Sequence, residues 1–363
     1  MEGLHVMRGG WMGMAHGFVN LVLDDQSGPR GDRLAFAQSM FMLMGNRPAG
    51  PGTLGVRAMV SLDPTMGPRG YPLLLQTGET ADGRIGLVDR QHPHDFFMEL
   101  SGSYSVPLGA DGAAFVYLGW PGEPALGPSA FMHRWSGMRN PEAPLTHHWL
   151  DATHITFGVA TVGLNQGPWQ IEASAFNGRE PDQHRWNIES RGFDSWSTRL
   201  SFNPDRSWSM QVSHGDLKSP EALHADVRVR RDTASATWHR AFGANRWETT
   251  FAWGRNRKSA PGEQRSEPAW LLESAFAYGE RHTVFGRYER LDNSELFAEG
   301  QPLHDQTFRI SKLSLGYVHD FARTGPVRWG LGGVAGFIRV PGALEPIYGR
   351  RPRSAMLFLQ ARL

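Results

Sequence analysis

Two groups of residues stand out for the chemistry they could do. Met7, Met12, Met14, Met40, Met42, Met44 and Met59 are half of the 14 methionines in this 363-residue chain. Thioethers are soft ligands, and beside an imidazole such as His16 they suit Cu(I) or Ag(I). Methionine is also a flexible filler of packed interiors, so both readings stay open. The second group is His92-Pro93-His94-Asp95. Two imidazoles and a carboxylate so close together can hold a borderline divalent ion such as Cu(II), Zn(II) or Ni(II). Pro93 favours extended backbone before it, which turns His92 and His94 the same way. The competing reading is a loop anchor, with these side chains bonded to backbone. Neither reading requires a resident cofactor; copper or another transition-metal ion is what the donors would accept.

A third cluster holds His133, Arg134, His147 and His148 in segment 121–151, with Asp151 and, just beyond, His154. Adjacent His147 and His148 would point to opposite faces of a strand. A polar, pore-lining loop is the expected role. Catalysis gains little from the sequence. Ser213 and His214 are neighbours on one strand and face apart, so they form no nucleophile–base pair. No Gly-x-Ser-x-Gly elbow occurs, and no enzyme is expected.

The elements that must position these groups are strands. Apolar and polar residues alternate with period two, as in Trp196-Ser197-Thr198-Arg199-Leu200-Ser201-Phe202, between turn residues such as Asn203-Pro204-Asp205-Arg206. The pattern predicts about sixteen strands, with fourteen to eighteen compatible with it. They span 14–23, 33–44, 53–62, 97–106, 113–120, 152–164, 168–177, 193–203, 207–215, 229–240, 246–255, 268–278, 281–291, 306–319, 326–338 and 354–363. Connections after even-numbered strands are short, and those after odd-numbered strands are longer, such as 64–96, 121–151, 178–192 and 216–228. Short periplasmic turns and long extracellular loops define an all-β, antiparallel up-and-down barrel that spans the outer membrane. Residues 14–363 form one barrel domain in this reading. Residues 1–13 are a periplasmic segment or partial plug.

Composition agrees with a barrel. Mean hydropathy is −0.41, and no apolar run is long enough for a membrane helix. A barrel strand shows lipid only every second side chain, so its average stays polar. Trp196, Trp208, Trp238, Trp247, Trp253, Trp270, Tyr278, Tyr317 and Trp329 fall near predicted strand ends, where aromatic rings meet headgroups. The net charge of +1 gives no reason to expect nucleic acid, and the absence of cysteine excludes disulfides and thiolate sites. Met1-Glu2-Gly3-Leu4-His5 has no leader character, so a leader is expected to be removed or to lie upstream.

Alternation also assigns faces. Met14, His16, Gln38, Met40, Met42, Met44, Arg57 and Met59 turn inward, so Met14, His16, Met42 and Met44 can meet near the periplasmic mouth. Lumen-facing charges are mixed: Glu99, Glu172, Arg199, Glu248, Glu273, Arg287 and Glu289. Mixed charge implies weak ion selectivity. A lumen of this size is aqueous, and loops 64–96 and 121–151 are the segments able to narrow it.

Several segments carry a resemblance. Gly70-Tyr71-Pro72-Leu73-Leu74-Leu75-Gln76-Thr77-Gly78-Glu79-Thr80, Asp89-Arg90-Gln91-His92-Pro93-His94-Asp95, Gly122-Glu123-Pro124-Ala125-Leu126-Gly127-Pro128, Ala175-Phe176-Asn177-Gly178-Arg179-Glu180-Pro181 and Lys218-Ser219-Pro220-Glu221-Ala222-Leu223-His224 are similar to those of a largely uncharacterised bacterial outer-membrane family. The resemblance covers nearly the whole chain. It implies a Met/His-rich N-terminus and a heavy-metal or copper resistance context. Here only His5, Met7, Met12 and Met14 remain of that stretch, so the metal implication attaches to them, to Met40–Met44, and to His92 and His94. The expectation is a porin-like channel for small hydrophilic solutes, with a link to copper or other transition-metal ions. The alternative is a plugged barrel that binds metal or serves a structural role without transport. Outer-membrane lipid, lipopolysaccharide and a small solute or metal ion are the implied partners. No residue identifies an interface between copies, so an oligomer stays open.

Overall fold

A computed structural model describes residues 3–304 and 306–363. Met1 and Glu2, part of the segment read as a periplasmic extension or plug, lie outside the described residues. Sixteen antiparallel strands close into a barrel. In wall order they begin with β2 (Trp11–Gln26), β3 (Arg33–Ala49), β4 (Gly52–Val60), β7 (Phe97–Leu108), β8 (Gly112–Gly119) and β9 (Val159–Gln166). They continue through β10 (Trp169–Phe176), β11 (Ser195–Asp205), β12 (Trp208–Lys218), β13 (Arg228–Phe242) and β14 (Asn245–Ala260). The circuit ends with β15 (Glu263–Tyr278), β16 (His282–Asn293), β17 (Phe308–Thr324), β18 (Val327–Arg339) and β19 (Arg353–Arg362). β19 pairs with β2 from Ser354↔Gln26 to Arg362↔Phe18 and shuts the ring.

Every predicted strand is present, and the alternation has the expected sense. On β19, Leu357 is 64% exposed outward while neighbouring Phe358 is 2% exposed inside. Leu23, Leu43, Leu118, Val162, Leu272 and Leu331 continue the outer apolar surface around the wall. Trp169, Trp208, Trp247, Tyr278 and Tyr317 are exposed near the short-turn rim, and Trp196 lies near the other. The short turns use residues able to reverse the chain tightly. Gly167 (φ 53°) and Gly243 (φ 60°) take the left-handed backbone that two-residue hairpins need.

Two expectations need correction. The connection after Arg255 is no long loop, because β14 and β15 run on to a two-residue turn at Pro261-Gly262. Residues 256–267 are polar on both faces and so lack the membrane alternation, yet outside lipid a ladder needs none. Segment 152–158 is loop and begins with a 3₁₀ turn at Ala152–His154; strand structure starts at Val159. Within the loop after β8, His147 and His148 open a short helical turn, α1 (His147–Leu150). Residues 4–8 form β1 (Leu4–Arg8), exposed throughout and paired with Trp11–Ala15.

Leu357 lies midway along β19 on the lipid face. Leu357→Arg is expected to destabilise the barrel by about 2–4 kcal/mol, measured by denaturant titration in lipid vesicles.

Candidate functional site in the lumen

The two longest loops fold inward. Loop 61–96 carries the hairpin β5 (Tyr71–Thr80) and β6 (Gly86–Gln91), whose Leu73, Leu74 and Leu75 are 0–1% exposed. Loop 120–158 crosses the lumen with α1. Both expected constricting segments therefore enter the barrel, and they pack its middle much more fully than a narrowing would. Glycines on the wall permit the approach: a Cβ at Gly254 would stand 2.3 Å from the Trp149 carbonyl oxygen.

The lumen charges predicted from alternation do point inward, but most meet a loop side chain or loop backbone rather than open water. Arg134 donates to Glu273 at 2.6 Å and to Asp151 at 2.6 Å. Glu248 accepts from the Ser136 amide at 3.0 Å, and Glu289 from the Thr146 amide at 2.9 Å. Arg287 donates to the Glu142 carbonyl at 2.7 Å, and Lys312 pairs with the Glu142 carboxylate. Arg199 bridges wall and loop, donating to Glu172 at 2.9 Å and to the Gly127 carbonyl at 3.1 Å. Glu99 stays with wall residues, accepting from the Tyr117 hydroxyl at 2.9 Å, with Arg57 at 3.5 Å. These wall charges thus serve mainly as seats for loop 120–158. Alternation could not reveal their loop partners.

Loop 61–96 has its own ionic seat. Arg185, from the loop after β10, donates to Asp95 at 3.0 Å and pairs with Glu79. Glu79 in turn lies 3.3 Å from His92 Nε2. Neither Arg185 nor Glu79 was singled out from sequence, because nothing in their spacing ties them to His92.

The histidines converge. The ring centres of His92 and His148 are 5.8 Å apart, those of His147 and His148 5.5 Å, and those of His147 and His154 5.1 Å. His94 and His154 follow at 5.4 Å. His133 lies toward His16, Arg57 and His94 and feels their charge. Burial holds the loop imidazoles of His92, His147 and His154 below their ordinary pKa and takes His133 down to about 4. Burial also opposes charge on His148, but Glu180 outweighs it and lifts this group to about 9.

The methionines also assemble. Strand register sets Met14 beside Met44, His16 beside Met42, and Met42 beside Met59. Met40, Met42 and Met59 belong to an apolar cluster, with Met14 and Met44 packed against it. Apolar packing accounts for their position. Among the described residues, no three His, Asp or Glu side chains converge closely enough to hold a metal ion.

Above the plug, at the long-loop mouth, opens a cavity of about 690 Å³ whose lining includes Glu79, Glu221, Lys258 and Glu295. Below it, the inner-face residues Ser103, Ser105, Gln170, Ser201, Ser235 and Thr237 are partly exposed at the short-turn end.

A closed barrel with an apolar outer surface and a polar, loop-filled interior is an outer-membrane barrel of porin type. No family model and no curated protein matches the chain. Solved structures do. Salmonella typhi OmpF, in complex with daunomycin, aligns with a TM-score of 0.58 at 8% identity, over 99% of this chain and 100% of that one. An anion-selective porin from Comamonas acidovorans gives 0.56 at 13% identity, over 97% and 100%. The outer-membrane channel DcaP of Acinetobacter baumannii gives 0.55 at 10% identity, over 100% of both. The likeness is one of fold. The protein is a porin-fold barrel of the bacterial outer membrane.

Two outcomes follow. Arg134→Ala leaves Glu273 and Asp151 without a buried cation, and should cost about 3–5 kcal/mol of loop docking. Faster proteolysis within 120–158, with the barrel still resistant to denaturation in cold detergent, checks this. For acid, the sign follows from the lowered imidazoles: an undocked loop binds protons that the docked loop refuses. The contribution of His133, His147 and His154 is complete above about pH 6.5 and is lost as pH falls toward about 5. Amide protection factors in loop 120–158 should drop over that interval.

Proposed function

We propose that this protein is a restricted outer-membrane channel for small hydrophilic solutes, with loops 61–96 and 120–158 as its constriction. One observation carries the reading: the plug divides a cavity lined in part by charged residues at the long-loop mouth from a polar, partly exposed vestibule at the short-turn mouth. Such a layout has a use in transport and none in a purely structural barrel. Small size and polarity of the solute follow from the narrowness of any course through the plug. Lipid and lipopolysaccharide surround the belt in this reading. A transition-metal ion is the specific cargo we favour, and it is the histidines, not the packed methionines, that support it.

A second reading, a plugged barrel without transport, is favoured by the near-complete burial of Leu73–Leu75. Planar bilayers separate the two. The purified parent should give small, discrete K⁺ conductance. Replacing residues 128–153 with a short Gly/Ser linker should enlarge it several-fold. A parent that never conducts, beside a deletion variant that does, would establish the plugged barrel instead.

A further inference from the structure

We infer that the plug contains a relay site for a divalent transition-metal ion, formed by His94, His147 and His154 with His148 at its outer end. The inference rests on the channel reading and names its cargo.

Tautomers come first. His147 Nδ1 lies 2.7 Å from Asp151 Oδ1, and His94 Nδ1 lies 2.9 Å from Asp63 Oδ2. His154 Nδ1 lies 2.9 Å from the Asp151 carbonyl oxygen. Carboxylate and carbonyl oxygens accept, so each Nδ1 donates and each Nε2 keeps its lone pair. An outer nitrogen tied to oxygen, with the other left basic, is how ligating histidines are oriented. The Nε2 atoms of His94 and His154 are buried without a hydrogen-bond partner. A lone pair in that position is costly unless something electrophilic meets it.

Spacing comes second. Two imidazoles on one ion, each with a metal–nitrogen bond of about 2.0–2.1 Å, set their ring centres roughly 5 Å apart. The successive pairs stand at 5.4 Å (His94–His154), 5.1 Å (His154–His147) and 5.5 Å (His147–His148). Among the described residues no three donors converge, so this row of histidines offers pairs. Paired ligation suits an ion in transit, which must bind well enough to enter and weakly enough to leave.

The approaches come third. His148 faces Glu180 at 3.7 Å and leads toward the mouth cavity, whose lining sets Glu79, Glu221 and Glu295 beside Lys258. At the other end, His94 leads to His133 and His16, the latter beside Met42. Imidazole donors select Zn(II), Cu(II) or Ni(II) over the oxygen-seeking Mg(II) and Ca(II).

The test is calorimetric titration of Zn²⁺ into the full-length barrel in detergent. The parent should bind Zn²⁺ and ignore Mg²⁺. The double variant His94→Gln/His154→Gln should lose at least tenfold in affinity while still showing the gel shift of a folded barrel. Should that variant not fold, Co²⁺ added to the parent supplies a second readout, with visible absorption bands of nitrogen ligation expected. Equal Zn²⁺ affinity in parent and variant, equal competition by Mg²⁺, or a Co²⁺ spectrum of the hydrated ion would overturn the site. Channel failure reads differently: histidine-dependent Zn²⁺ binding in a parent that carries no K⁺ current would leave a stored ion and end the relay.

Discussion

A strand inside lipid has no water to satisfy its N–H and C=O groups, so the sheet must return upon itself. The ladder between β19 and β2 meets that demand here, and most other features follow from it. Closure fixes which side chains meet lipid and which meet the interior. A shift of one residue in any register would exchange the two faces. The outward Leu357 and inward Phe358 show how sharp that division is.

Closure also creates an interior that has to be filled or wetted, and this chain fills its middle. The plug is seated by charges that are costly to bury singly and tolerable in company. Arg134 lies between Glu273 and Asp151, Glu273 also meets Arg287, and Arg287 holds the Glu142 carbonyl. Each member neutralises or hydrogen-bonds the next, so position is specified more strictly than by apolar contact alone. The buried histidines inherit their orientation from the same network through Asp151.

Membrane strands were legible because lipid imposes a period-two pattern that nothing else in the chain imitates. Where lipid ends, the pattern ends, which is why residues 256–267 at the ends of β14 and β15, with Arg257, Lys258 and Glu267 among them, read as loop. The inward direction of Glu248, Glu273 and Glu289 was readable from the same alternation. Their loop partners were not, since Ser136, Arg134 and Thr146 lie more than a hundred residues away and no spacing rule joins them. The histidines were visible as residue types. Their common location depends on two loops meeting inside a barrel, and that is a tertiary fact.

The plug is attached differently on its two sides. Toward β14–β19 and β2–β4 it packs against Phe285, Ile310, Val334, Phe358 and Phe36. Toward β10 and β12 a smaller apolar cluster of Leu126 with Phe176, Leu217 and Val229 is joined by hydrogen bonds from the Ala125 amide to Ser174 and from the Gly127 amide to Ser213. A body held by apolar contact on both sides, with ion pairs and hydrogen bonds between, braces the barrel from within. Wall and filling therefore stiffen one another, and the inner dimensions of the molecule are set by the fit of loop to strand and not by the diameter of the barrel.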